Sequence, residues 1–430
     1  MNSLQLNTYH KDKVKGISLN IDNLILLNFT VLVFFTFFGT KLPFQEISPE
    51  DTFKSETTNI VNQILYIFLF LSSIVVVIAR FITILRFIKK EKYLSLFILL
   101  CLVSAVWSDY HIISFKRSFQ LLSVYIVVIT ALLFTEPSKL LKVLKIIISL
   151  YLLVNIFSAL FINEAIDPQF GTWRGITDQK NLLARFGLYC FLISIFFYGE
   201  QSKRVTKITN YAVSLLSVII IIMAGSTTVL VMLFLIICMS LVFWFEGFFK
   251  SLQTGRTFMI ISLLFLISVT ATLYFLDPGA QSKLFGVMGK RSDLTGRTEF
   301  WEYLQMEVKK RITLGYGYGT YWIMGSAVIA NFAAFTGGFM VNQAHNGYLE
   351  IALELGLVGL ALFVIILIVL IYRVFKLKSN SPLLFIVALV LLDWTEATLF
   401  TQKGISTVVF MSLYIETSIF YFNLKESQRS

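Results

Sequence analysis

The chain has 430 residues, 57% hydrophobic and 14% charged, with a formal net charge of +11. A soluble domain carries about 25% charged residues, so this composition, with a mean hydropathy of +0.79, excludes a soluble globular protein and indicates a polytopic membrane protein. The basic excess does not point to nucleic acid, because the lysines and arginines are scattered through short loops between apolar runs, where positive-inside topology accounts for them.

In chain order, the first twenty residues form a polar tail with Lys11, Lys13 and Lys15, and the apolar run after it lacks a small-residue cleavage pattern. That run reads as a first transmembrane helix rather than a removable signal. A spanning helix needs about 20 apolar residues. Twelve runs of suitable length lie near 22–40, 60–86, 93–108, 119–134, 143–162, 181–199, 207–224, 227–246, 257–276, 347–372, 382–399 and 405–423. With the amino terminus inside, the inside loops hold Arg86/Lys89/Lys90/Lys92, Lys139/Lys142/Lys145, Lys203/Arg204/Lys207, Lys250/Arg256, Arg373/Lys376/Lys378 and Lys425/Arg429. The first outside loop carries Glu46, Glu50, Asp51 and Glu56 instead. Short loops rich in Lys and Arg stay inside. The alternation predicts an all-α protein with about twelve transmembrane helices and both termini cytoplasmic. The parts are a tail over 1–20, helices over 21–276, a long external loop over 277–345, helices over 346–424 and a tail over 425–430. Cys101, Cys190 and Cys238 fall singly in apolar runs and read as small buried hydrophobes, not as disulfides or metal ligands.

Two outside loops are rich in cations: "DPQFGTWRGITDQKN" at 167–181 and the long loop, which contains "GKRSDLTGRTEFWEYLQMEVKKRI" and "GYGYGTYW". Within the latter, 296–312 predicts an amphipathic helix, with Phe300, Leu304, Val308 and Ile312 at helical spacing and Thr295 as cap. Trp301 and Tyr303 suit an interfacial position, and the glycines at 315, 317 and 319 mark a turn. No internal repeat stands out, and no split hydrophobic pair of the inverted-repeat transporter kind.

The chemistry-bearing residues sit at this outer side. Arg174, Arg291 and Arg297 carry planar, always-charged forks that pair with phosphate in bidentate fashion. Converging at the membrane face, they would suit a diphosphate whose lipid tail stays in the bilayer; as solvated loop residues they would touch only lipid headgroups. Gly175 and Gly296 beside them permit close backbone approach. Lys180 adds a cation, and Arg185 lies about one turn into the sixth apolar run, where a charge normally faces protein or water. His345 is one of three histidines and sits in "AHNGYLE" just before an apolar run. As a neutral imidazole it can take a proton from a hydroxyl; as a helix cap, with Asn346 and with Glu350 in the first turn, it would be structural. Both readings are compatible. Asp393 and Glu396, one turn apart, read as counter-ions to the arginines or as a proton path, His111 as interfacial and His10 as idle. No nucleotide or metalloprotease motif is present, and the inside loops are too short for a nucleotide site. Any chemistry is then external, and its energy must arrive preloaded in the substrate.

Six segments recur together: "WSDYHIISFKRS" at 107–118, "WRGITDQKNLLA" at 173–184, "GSTT" at 225–228, "GKRSDLTGRTEFW" at 289–301, "GYGYGTYW" at 315–322 and "AHNGYLEIALELGLVGL" at 344–360. In this order the chain resembles the O-antigen ligase/polymerase superfamily of bacterial inner-membrane glycosyltransferases, over about 107–372. "WRG…KN" and "AHNGYL" look most like its exopolysaccharide and O-antigen polymerase branch. The resemblance implies the helical fold of the lipid-sugar-using class and a metal-independent, inverting glycosyltransferase without cofactor. It implies an undecaprenyl-diphosphate-linked glycan donor. The acceptor would be a second lipid-linked glycan for a polymerase, or lipid A–core for a ligase. A chain-length regulator and membrane lipids would be the further partners that the resemblance implies, and nucleic acid would not be one. Arg174 matches the arginine of the first outer loop, Arg291 and Arg297 the paired arginines of the long loop, and His345 the loop-end histidine. Lys180 and Arg185 join them as diphosphate-binding candidates. The basic residue usual after the serine of "GSTT" is replaced by Thr227 and Thr228, which leaves Ser226 without a role. A lipid-linked sugar flippase would instead line a passage through the membrane, and a scaffold would tolerate substitution of the loop arginines.

Overall fold

The computed structural model describes residues 18–41, 43–44, 59–196, 204–248, 297–323, 326–335, 343–377, 381–401 and 404–428. These residues form α-helices and two short 3₁₀ turns, with one isolated bridge between Ile166 and Trp173. In lipid no water satisfies the backbone, so a helix that closes its own hydrogen bonds is the spanning unit. The helices are α1 (Ser18–Phe38), α2 (Ile60–Ala79), α3 (Phe81–Lys90), α4 (Lys92–Val103), α5 (His111–Phe134), α6 (Pro137–Phe161), α7 (Lys180–Phe196), α8 (Arg204–Ala224), α9 (Thr227–Phe248), α10 (Arg297–Lys310), α11 (Ala327–Phe335), α12 (Gly347–Leu377), α13 (Ser381–Thr395) and α14 (Ile405–Ser427). Seven of them are long and apolar enough to cross a membrane, with shorter apolar helices at Lys92–Val106, Thr227–Leu241 and Pro382–Trp394. The ninth apolar run, 257–276, lies outside the described residues.

α5 is central. It packs against α1, α2, α4 and α14, and α12 packs in turn on α4, α13 and α14. Apolar burial does not drive association between helices in lipid; close packing and polar contacts do. Asn28 of α1 donates to Ser73 Oγ at 3.1 Å and accepts from Ser72 at 2.9 Å, Tyr189 pairs with Ser406 at 2.6 Å, and Ser194 with Ser214 at 2.8 Å. Each such contact is worth ~0.6 kcal/mol. Other hydroxyls bond back one turn, as Thr36 does to the Leu32 carbonyl at 2.7 Å.

The structure corrects the expected spans in three places. The run 60–86 is not one helix: it breaks at Arg80 (φ −121°), whose guanidinium lies 5.7 Å from the Phe134 ring centroid. The fourth span starts at His111, eight residues before the expected 119: one side of the "HIISFKRS" segment faces protein, with Ser114 and Ser118 buried and Lys116 and Arg117 lining a cavity, while Ile112 and Phe115 stay exposed. His111 opens that helix, its Nδ1 2.7 Å from the Ala105 carbonyl. Finally, the run 347–372 is broken at Gly356 (φ 63°, ψ −164°), a region of backbone space open only to glycine.

That break is filled by the long loop. The Tyr316 N–H donates to the Leu353 carbonyl at 2.9 Å and Gly317 N–H to Glu354 at 2.8 Å. Beyond the break, Leu357 N–H donates to Ile312 at 2.8 Å and Val358 N–H to Thr313 at 3.2 Å. Backbone groups released by the kink are thus paired by residues 312–317, as burial demands. The approach is so close that a Cβ on Gly315 would stand 2.5 Å from the α12 backbone.

α10 forms as the spacing predicts. Trp301 and Tyr303, however, are not interfacial. They are buried, 6% and 8% exposed, in a second core with Leu304, Tyr316, Tyr321, Phe332 and Leu353. Trp301 Nε1 donates to the Ala344 carbonyl at 2.7 Å, which explains its depth. Thr295 lies outside the described residues.

Candidate functional site

A cavity of about 500 Å³ opens among α4, α5, α7, α12, the start of α2 and the α13–α14 connection. Its cations come from two helices: Lys116 and Arg117 from α5, one helical turn before Gln120 on the same wall, and Arg185 from α7. Its carboxylates are Asp178, Glu350 and Glu354, the last two one turn apart on α12. Asn59, Asn62, Gln179 and Gln343 add carboxamides, and Tyr318, Trp322 and Phe400 add aromatic surface. Carboxylates, amides and aromatic faces together suit hydroxyl-rich sugars, and the cations suit an anionic group beside them.

Each wall is held by specific contacts. Arg117 donates to the Gly319 carbonyl. Glu350 accepts from Trp322 Nε1 at 2.7 Å and from the Ala344 N–H at 2.7 Å, tying the aromatic turn to the segment before His345. Phe400, at φ 56°, offers its carbonyl to the Tyr318 hydroxyl. Arg185 differs: its Nε is buried and has no hydrogen-bond partner among the described residues. A guanidinium nitrogen buried in this way is costly unless a ligand answers it.

His345 stands beside the cavity, two residues from Gln343 in its wall. Its φ is +49°, a left-handed conformation uncommon outside glycine. Nδ1 lies 2.9 Å from Glu396 Oε2, and the Gln343 amide nitrogen lies 3.3 Å from Nδ1 and 3.2 Å from the same oxygen. Asn346, not His345, provides the cap of α12: its Oδ1 accepts from the Leu349 N–H at 3.0 Å. Asp393 accepts from the Thr398 and Leu399 N–H groups at 2.9 and 2.8 Å and packs where a side chain on Gly347 would stand. Glu396 meets the histidine, and Asp393 holds backbone.

The other expected site residues divide. Arg185 lines the cavity, whereas Arg174 and Lys180 do not. Arg174 Nε donates to the Glu164 carbonyl at 2.6 Å, and Lys180 Nζ lies 3.5 Å from the Phe170 ring centroid. Gly175 (φ 58°) admits the Asn155 side chain, whose Oδ1 would be 2.0 Å from a Cβ there, and that oxygen accepts the Ile176 N–H at 3.0 Å. Its close approach therefore serves the loop's own fold. Arg291 and Gly296 lie outside the described residues, and of Arg297 only the backbone, at the start of α10, is described. Ser226 is buried, in the turn between α8 and α9. Lys116, Arg117 and Glu354 were not singled out from sequence. The signal available was a basic pair followed by Gln120 inside an otherwise apolar run.

The family model described as O-antigen ligase (Wzy_C) matches residues 212–364, which include the aromatic turn, His345 and the first half of α12. The exopolysaccharide production protein ExoQ of Rhizobium meliloti (strain 1021) is 24% identical over 279 residues, 63% of this chain. That alignment spans 62% of the relative, less than two thirds of its length. With the apolar helices, these findings make the chain a multi-pass bacterial membrane protein, and they support for it the O-antigen ligase/polymerase superfamily that its motifs resemble.

Proposed function

We propose that the chain is a glycosyltransferase that joins undecaprenyl-diphosphate-linked oligosaccharide repeat units at the outer face of the inner membrane, as an O-antigen, exopolysaccharide or capsule polymerase. The observation that carries this reading is the polar cavity at one end of the bundle, with Lys116, Arg117 and Arg185 in its wall and His345 beside it. In the proposed reaction His345 takes the proton of an acceptor hydroxyl. That oxygen attacks the anomeric carbon from the face opposite the diphosphate. The bond from anomeric carbon to diphosphate oxygen breaks, and the lipid diphosphate leaves with the electron pair. The charge that grows on it is met by cations: Arg185, Lys116 and Arg117 in the cavity, with Arg174, Lys180, Arg291 and Arg297 as outer-loop contributors. Fixed positive groups in a site that excludes water stabilise such charge far better than water does.

The second reading is a ligase that transfers the same donor to lipid A–core, favoured by the description of the matching family. Purified protein reconstituted with lipid-diphosphate-linked repeat units, without nucleotide or added metal, separates the two. A ladder of longer lipid-linked glycans is the expected result. Transfer only after lipid A–core is added makes the protein a ligase. Movement of the unit across the bilayer without a new glycosidic bond overturns both in favour of a flippase.

A further inference from the structure

We infer that Glu396 is a positioning residue for His345, holding the imidazole as the Nδ1–H tautomer with Nε2 as its basic nitrogen; this rests on the reading of His345 as the proton acceptor. The geometry is a converging set. His345 Nδ1 and the Gln343 amide nitrogen both lie within hydrogen-bond reach of Glu396 Oε2, at 2.9 and 3.2 Å. A carboxylate oxygen only accepts. With the proton on Nδ1, ring and amide both donate to it. With Nδ1 bare, two lone pairs would face each other at 2.9 Å, and the contact would be repulsive. The carboxylate, with only 11% of its side chain exposed, is thus a selector of tautomer as well as a tether.

Two further observations give this contact a purpose. The His345 backbone is held at φ +49° although nothing in its own side chain requires it. A non-glycine residue kept in that region is held by its surroundings. Ala344 is pinned on both sides, its N–H by Glu350 and its carbonyl by Trp301, and Asn346 caps α12. The residues on either side of His345 are fixed by two separate elements, α10 and α12, and the ring is fixed by a third, the end of α13. Gln343, which donates to the same Glu396 oxygen, stands in the cavity wall and so joins the carboxylate to it. An imidazole so oriented, acid on one nitrogen and free lone pair on the other, can take a hydroxyl proton while the carboxylate stabilises the imidazolium that forms.

The test uses the sequence's poverty in histidine. Only His10, His111 and His345 are present. In a His10→Asn/His111→Asn background the full-length protein in bilayers gives one imidazole signal in ¹⁵N magic-angle-spinning NMR. The expected parent spectrum at a pH where the ring is neutral has a protonated, pyrrole-type Nδ1. Glu396→Gln offers an N–H to the ring and moves the proton to Nε2. In the glycan assay the same variant loses at least about 100-fold in kcat, against about 10⁴-fold for a wrong tautomer in the Ser-His-Asp arrangement. KM for the lipid-linked unit stays within about twofold, and Glu396→Asp recovers part of the loss. A pyridine-type Nδ1 in the parent, or a Glu396→Gln protein with unchanged tautomer and kcat, overturns the inference. An Nδ1–H parent whose glycan assay shows no transfer to any acceptor overturns the glycosyltransferase reading, and the positioning role falls with it. Transfer activity with the wrong tautomer overturns the inference alone.

Discussion

Both ends of the bundle bury charge, and they do so differently. At the end away from the cavity, Arg373 of α12 reaches Glu91, between α3 and α4, and the pair is closed on every side. Arg373 donates to Ser418 at 2.6 Å, the Tyr414 hydroxyl donates to Glu91, and the guanidinium lies 5.2 and 5.3 Å from the ring centroids of Tyr414 and Phe422. Glu91 and Arg373 are 1% and 4% exposed. At the cavity end, carboxylates and cations from α5, α7 and α12 surround open volume instead, a buried Arg185 nitrogen has no hydrogen-bond partner among the described residues, and two non-glycine residues, His345 and Phe400, are held at positive φ. The first arrangement fastens helices together. The second holds charge in reserve for something that enters. Burial of a charge in a membrane therefore marks function only when the protein leaves part of that charge unanswered.

Substitutions can break or sharpen this contrast. The largest effect expected is on turnover: His345→Ala loses about 10²–10⁴-fold in kcat, the span general base catalysis supplies, with an unchanged thermal midpoint of the detergent-solubilised protein. Arg185→Ala follows, with about 10²-fold lower turnover from the lost electrostatic stabilisation and no loss of stability, since no hydrogen bond of its Nε is broken. An Arg185→Ala protein that unfolds would show that the cavity end is built like the other end. Arg373→Ala should do the reverse. Removing one partner of a buried pair costs about 3–5 kcal/mol, which lowers the thermal midpoint while turnover per folded molecule is kept. Gly356→Ala is smaller, at about 1–3 kcal/mol from forced backbone, and it loosens the loop as well, because the new Cβ meets the Thr313 carbonyl at 2.3 Å. Limited proteolysis within 311–323 reads that loosening. Least affected is Lys90→Ala. Its 2.5 Å bridge to Glu426 joins side chains 41% and 51% exposed, and such a surface pair is worth at most about 1 kcal/mol.

The spans were legible because a lipid core imposes one demand, about 20 apolar residues in a row, that hydropathy reads directly. The interruptions were not. Arg80 and Gly356 each sit inside a window whose average stays apolar, and the contacts made at the two breaks, to Phe134 and to residues 312–317, come from elsewhere in the chain. Arg185 could be read for the cavity because a cation deep in an apolar run has few other places to point. Lys116 and Arg117 were hidden by their position: a basic pair near the end of a run looks like an interfacial anchor, and only the early start of α5 turns it inward. Trp301 and Tyr303 went the other way, since the preference of aromatic rings for the interface gave way to a second core. The Glu396 contact spans 51 positions in sequence, and no local pattern announces a pairing at that separation.

The stitching of residues 312–317 onto both sides of the Gly356 break is made of main-chain hydrogen bonds. A contact of that kind reads length and not side-chain identity. The segment from Ile312 to Gly317 acts as a ruler laid along α12: its residues can vary in chemistry, while one inserted or deleted position would put every later bond out of register. Variation at this outer end is then expected as exchange of side chains at constant spacing, with changes in loop length pushed into the chain before α10.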